Sequence, residues 1–168
     1  MMPVRKLAVY VLPLAVGGVL AVFFKVMKVD LDSMSPTIKR GDFVVVARTD
    51  TGIGEKDEHR GNIVIAVQQD KYIVKRLIAR SDDVVETRGQ GQLFINSGFL
   101  PTFAARKPIA NLKQTITRVR VPDGYVFVVG DNTYESVDSR SFGVIPIRSV
   151  KGRVILSWQP SLSLPTLH

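Results

Sequence analysis

The amino-acid sequence predicts a mainly β protein, with an N-terminal transmembrane helix followed by an antiparallel β domain. Two observations carry that expectation. From residue 41 onward, short segments rich in Val, Ile, Thr and aromatics alternate with Gly, Asn and Asp turn signals. Ahead of them, residues 7–24 carry no charge at all. The 168 residues leave room for one domain and a short anchor. An apolar content of 45% argues against a disordered chain.

The organisation read from the N-terminus is a flank at 1–6, an anchor at 7–24, a juxtamembrane segment at 25–32, a folded domain at 33–160 and a tail at 161–168. As a helix the apolar run reaches roughly 27 Å, close to the hydrocarbon thickness of a bilayer. Pro13 and Gly17-Gly18 are tolerable in such a helix. A core helix fits less well, because in so small a protein one face would meet water. A cleaved leader fits less well too, since Phe-Phe-Lys-Val-Met-Lys-Val-Asp offers no small-x-small site. Arg5 and Lys6 before the run balance Lys25 and Lys28 after it, so flanking charge does not set an orientation.

Strands are expected at Phe43 to Ala47, Ile63 to Val67, Tyr72 to Arg80, Val84 to Thr87, Leu93 to Ile95, Thr115 to Val121, Tyr125 to Val129 and Val154 to Trp158. Turn signals stand at Gly61-Asn62, Asn96-Ser97-Gly98 and Pro122-Asp123-Gly124. Longer loops are expected at 49–61 and 100–114.

Composition removes several chemistries. There is no cysteine, which excludes disulfides, thiol nucleophiles and cysteine metal sites. The two histidines are His168, the last residue, and His59, in a charged polar stretch, so a Ser-His-Asp triad or a metal site is not expected. The net charge of +8 is spread along the chain rather than gathered into a basic arm. That pattern suits anionic lipid headgroups better than nucleic acid. No cofactor, metal or nucleic-acid partner is expected.

Three segments carry candidate chemistry: Asp32-Ser33-Met34-Ser35-Pro36-Thr37, Tyr72-Ile73-Val74-Lys75-Arg76-Leu77-Ile78, and Gly130-Asp131-Asn132 through Ser136, Asp138-Ser139-Arg140 and Phe142-Gly143. Singly, each has an ordinary reading: a turn, a strand lysine with its ammonium in water, and turn chemistry after a strand. Together they read differently. A serine hydroxyl is a weak nucleophile until a base takes its proton. With histidine unavailable, lysine is the next candidate, provided burial lowers its pKa towards neutrality. In a strand, Ile73, Lys75 and Leu77 share one face, so Lys75 would project from an apolar row.

In this order the segments resemble the boxes of the type I signal peptidase family. Ser33-Met34-x-Pro36-Thr37 is similar to its nucleophile box, Val74-Lys75-Arg76 to its lysine box, and Gly130-Asp131-Asn132 with Ser136, Asp138-Ser139-Arg140 and Phe142-Gly143 to its third signature. Gly41-Asp42, Gly61-Asn62-Ile63-Val64 and Leu93-Phe94-Ile95-Asn96 add lesser matches, and the likeness runs from residue 29 to about 157. The resemblance implies a β-rich catalytic core shared with SOS-response repressors. It also implies a serine endopeptidase that removes signal peptides from exported preproteins after Ala-x-Ala-type sites. In that reading Ser33 is the nucleophile, Lys75 the general base and Ser136 the hydroxyl that orients the lysine amine. Asp131, Asn132 and the Asp138–Arg140 pair support the site, Leu31, Met34 and Ile73 face substrate, and the Ser33 N–H is one oxyanion donor.

The chain departs from the family pattern in places. Leu31 stands where a Ser or Gly is usual, so a side-chain oxyanion donor is lacking there. Asp32 would oppose a neutral lysine if its carboxylate were near, and is expected to point away. Ala79-Arg80-Ser81-Asp82-Asp83 replaces a glycine-containing turn. Rival readings are a maturation peptidase of a conjugation or pilus system, or an idle homologue that binds preproteins. The expected location is a bacterial cytoplasmic membrane with the domain outside, the mitochondrial inner membrane being the alternative.

Overall fold

The computed structural model describes residues 22–48, 59–88, 92–99, 118–132, 135–160 and 166–167. Twelve strands are present among them. They are β1 (Phe24–Lys28), β2 (Phe43–Arg48), β3 (Ile63–Gln68), β4 (Lys71–Arg80), β5 (Val84–Arg88), β6 (Gln92–Ile95), β7 (Gly98–Phe99), β8 (Arg118–Arg120), β9 (Tyr125–Val129), β10 (Ile145–Pro146), β11 (Val150–Trp158) and β12 (Thr166–Leu167). One short helix, α1 (Ser139–Phe142), follows β9. The protein is mainly β, as expected.

The strands form two antiparallel sheets. The larger has the order β1-β2-β11-β3-β4-β9-β10, with β12 added to β11, and the smaller the order β7-β6-β5-β8. Alternating β-branched residues explain the central strands. Val44 and Val46 turn to one face of β2, and Ile63 and Ile65 to the same face of β3. The β3–β4 connection is a two-residue turn at Gln69-Asp70, both at positive φ, which matches the right-handed twist of a hairpin. Asn96-Ser97 does the same between β6 and β7.

Three apolar clusters tie the layers. Ile78, Ala79, Val85, Leu93 and Phe127 join the small sheet to β4 and β9. Met34, Ile38, Val44, Ile65 and Val154 pack the loop after β1 onto one sheet face. Val64, Leu77, Val128 and Ile145 form the third cluster, with Phe142 of α1 against it.

Several expectations change. The segment expected to be juxtamembrane, 25–32, and the last anchor residue, Phe24, instead contribute β1, which pairs with β2 from Phe24↔Ala47 to Lys28↔Phe43. Its Lys25 and Lys28 read as flanking charges in sequence, whereas backbone pairing holds them on an edge strand, where lysine is common. The folded domain thus starts before residue 33. The last long strand begins at Val150 rather than Val154. The turn Ala79 to Asp83 is built without glycine: Asp82 takes φ 71°, and the Asp83 carboxylate accepts from Arg80 N (2.9 Å), Asn96 Nδ2 (3.0 Å) and the Arg60 guanidinium. Among the described residues no helix is long and apolar enough to cross a membrane. The apolar run at 7–21, residues 49–58 and 100–117 of the expected loop and strand regions, and most of the tail lie outside the described residues.

Candidate active site

Between β1 and β2 the chain makes a loop closed at its neck by Val29 N donating to Asp42 O (2.8 Å) and Gly41 N to Val29 O (2.7 Å). Inside it, Ile38 N donates to Met34 O (3.0 Å), one helical turn. That turn puts Met34 and Ile38 on one side, i and i+4, and both are driven into the core. Met34 is 0% exposed, so it pegs the loop from below and does not face substrate as expected. Ser33, one residue earlier, is left at the lip and is 8% exposed. Leu31 is 63% exposed.

Lys75 comes from β4, opposite Val64 of β3. It is 4% exposed, on the sheet face that carries Leu77 and Val64. Its amine stands 2.7 Å from Ser33 Oγ, its sole hydrogen bond among the described residues. Burial pulls the ammonium from its ordinary 10.5 down to about 8. The Asp138 carboxylate works against that shift and the Arg140 guanidinium adds to it. Asp32 turns away from the pair, its carboxylate taking Arg40 Nε at 3.1 Å and Arg40 N at 3.2 Å.

The chain leaving β9 clamps both partners. Asp131 accepts Arg76 Nε (2.8 Å) and Nη2 (2.6 Å) and Thr37 Oγ1 (2.6 Å), so one buried carboxylate joins the lysine strand to the serine loop. Arg76 Nη1 also donates to Gly61 O at 2.6 Å. Asn132 donates its N–H to Ser33 O (3.0 Å) and its Nδ2 to Asp32 O (3.1 Å), fixing the backbone on either side of the Ser33 amide. Gly130 is the point of closest approach. A Cβ there would fall 2.4 Å from Ser33 O and 2.2 Å from Ser136 Oγ, so no side chain fits.

Asp138, 0% exposed, is the second clamp. It accepts Arg140 Nε (2.8 Å) and Nη2 (2.7 Å), Gly130 N (2.9 Å) and Ser136 Oγ (2.6 Å), and its side chain caps α1 through Arg140 N (3.1 Å). Ser139 Oγ accepts from Val128 N at 3.0 Å, tying the helix to β9. Ser136 was expected to orient the lysine amine. Among the described residues its hydroxyl donates to Asp138, and no Ser136–Lys75 hydrogen bond is formed. Ile73 is half-buried on β4, two residues before Lys75.

The structure therefore brings Ser33, Lys75, Asp131, Asn132, Ser136, Asp138 and Arg140 into one cluster, with Leu31 and Ile73 at its margin. Sequence reasoning assigned no part to Arg76, Thr37 or Gly130. The signal for Arg76 was a second cation next to Lys75 with no stated partner. For Thr37 and Gly130 it was membership of a motif without a reason.

The chain matches the family described as signal peptidase, peptidase S26, over residues 4–159. Signal peptidase I S of Bacillus subtilis (strain 168) is 38% identical over 133 residues, 74% of this chain and 71% of its own length. Thylakoidal processing peptidase 1, chloroplastic, of Arabidopsis thaliana is 30% identical over 149 residues, 81% of this chain and 42% of its own. A crystal structure of a signal peptidase I from Enterococcus faecalis V583 is 31% identical, covering 56% of this chain and 94% of that one with a TM-score of 0.47. Matched along nearly its whole length, and in order with a relative above a third identical, this chain belongs to the signal peptidase family, peptidase S26.

Proposed function

We propose that Ser33 and Lys75 form the catalytic pair of this signal peptidase, and that residues 7–21 hold it in a membrane. The protein is a serine endopeptidase that removes signal peptides from preproteins. The observation that carries the catalytic pair is the 2.7 Å approach of a buried lysine amine to a serine hydroxyl. With the Lys75 pKa near 8, roughly one molecule in ten holds a neutral amine at pH 7, enough to act as a base.

In the first half-reaction Lys75 Nζ takes the Ser33 proton while Oγ attacks the scissile carbonyl carbon. The oxyanion forms beside the Ser33 N–H, which has no partner among the described residues and is free to donate. Lys75 then returns the proton to the leaving amine, and Ser33 carries the signal peptide as an ester. Water, deprotonated by Lys75, releases it in the second half. Asp131 and Asn132 hold the loop and strand in register and touch no reacting atom. The Ser136 hydroxyl donates its one hydrogen to Asp138, so towards an amine N–H its oxygen offers lone pairs only.

Substrate binds along β4. Among the described residues that strand pairs with β3 alone from Lys71 to Lys75, whereas from Arg76 onward β9 occupies its other edge. An extended peptide can add to the open stretch through main-chain hydrogen bonds, with Ile73 beneath it and Leu31 flanking the cut. The small residues of an Ala-x-Ala site suit so close an approach of two backbones. The location proposed is a bacterial cytoplasmic membrane with the domain on the outer face, near anionic headgroups.

The test is cleavage of an Ala-x-Ala preprotein by detergent-solubilised wild type, Ser33→Ala and Lys75→Ala. Cutting by wild type alone supports the pair. Retention of most activity by either variant, with its fold intact, removes it.

A further inference from the structure

The cluster under the serine loop does not fill its face of the large sheet. Beyond it the same face opens into a cavity of about 380 Å³. Its floor is apolar, made by Met27, Val46 and Ile65, while its rim carries Lys25, Arg48 and Lys151. Among the described lining residues there is no carboxylate. Lys25 Nζ lies 5.1 Å from the centre of the Tyr72 ring, so its charge rests on an aromatic face, with no ion pair among the described residues. Lys151 Nζ donates to Arg148 O at 3.2 Å, which uses one of the three N–H groups of an ammonium. Phe24, the first residue of β1, also lines the cavity, which therefore opens where the apolar run meets the sheet.

Cations around an apolar floor are the complement of an amphiphilic anion. We propose that this cavity binds the headgroup of an anionic phospholipid, with Lys25 and Lys151 on its phosphate and the floor taking the glycerol end of an acyl chain. The proposal rests on the anchored reading above, because an anchor at 7–21, just ahead of β1, holds the cavity at headgroup depth. The site is separate from Ser33 and Lys75 and takes no part in the reaction.

The test is a titration of the full chain, in a neutral detergent, with monodisperse dihexanoyl phosphatidylglycerol, following the thermal midpoint. Wild type is expected to gain a few degrees. The double variant Lys25→Gln/Lys151→Gln is expected to bind roughly 25-fold more weakly, at about fivefold per lysine. Both side chains are exposed, so the variant should keep the lipid-free midpoint and the cleavage of a soluble peptide. Equal shifts in wild type and variant overturn the proposal. A shift of the same size with inorganic phosphate overturns it in favour of a free-anion site, and one with dihexanoyl phosphatidylcholine shows that the cations play no part. Flotation of the chain with neutral vesicles reads the anchor separately. A chain that sinks yet keeps the 25-fold difference loses the anchor while its cavity ligand stands.

Discussion

The two halves of β4 are one strand under two different constraints. From Arg76 to Arg80 it lies between β3 or its turn and β9, with Leu77, Ile78 and Ala79 all buried. From Lys71 to Lys75 one edge has no strand partner among the described residues, and Lys71 and Tyr72 are exposed. The second half is held by packing and resists change. The first keeps backbone groups unpaired, and is the part a substrate can complete. Lys75 sits at the junction, deep enough to lose its water and close enough to the open edge to meet a peptide. A reactive lysine needs both conditions, and a strand that is half interior and half edge supplies them in adjacent residues.

The largest effect expected from breaking this arrangement is at the junction itself. Lys75→Met should lower cleavage by about 10⁴-fold, as removal of a nucleophile's base does. Its effect on stability has the opposite sign. The folded pKa, near 8, lies below the unfolded value of about 10.5, so a folding penalty is fully present below pH 8 and disappears as pH rises to 10.5. Removing the amine at pH 7 should therefore raise the unfolding free energy by about 3 kcal/mol. Urea unfolding and a cleavage assay on the same preparation check both signs.

The two halves themselves are separated by a matched pair of truncations. Leu77→Ala should cost about 3 kcal/mol of stability and leave KM unchanged, because it opens a cavity in the closed half. Ile73→Ala should cost about 1 kcal/mol and raise KM severalfold. Similar outcomes for the two would erase the distinction. A smaller effect is the pH profile. kcat/KM should climb tenfold per unit below pH 8 and level off above it, as neutral Lys75 accumulates. A flat profile from pH 5 to 9 would contradict a lysine base.

The smallest effect belongs past the closed end. Burial pushes the Asp83 carboxyl up, but the Arg80 N–H, Asn96 and Arg60 outweigh it and hold the pKa below its ordinary value. The stability this carboxylate contributes is present above the unfolded pKa and is lost as pH falls through the folded one. Asp83→Asn should cost about 1 kcal/mol at pH 7, less at pH 3, with cleavage unaltered.

Much of this was legible in order along the chain, because β-branched runs such as Phe43 to Ala47 and Tyr125 to Val129 announce strands by local preference alone. β1 was hidden, since Phe-Lys-Val-Met-Lys continues an apolar run and its lysines look like interfacial flanks. The first residues of β11 were hidden by Lys151, Gly152 and Arg153, which are weak strand formers kept in place by neighbours on both sides. In the site, the residue types were readable and their partners were not. Asp131 finds Thr37 across 94 positions and Arg76 across 55, contacts that exist only after the sheet has assembled. Ser136 went to Asp138 because a carboxylate two residues away is a nearer and stronger acceptor than an amine on another strand.

Val22 and Phe23 are helical and β1 begins at Phe24, with neither Gly nor Pro from Val22 to Val29. Within residues 22–29 the change from helix to paired strand is therefore made without a hinge residue. Inserting a short Gly-Ser spacer between Phe23 and Phe24 would add one, turning a fixed joint into a tether.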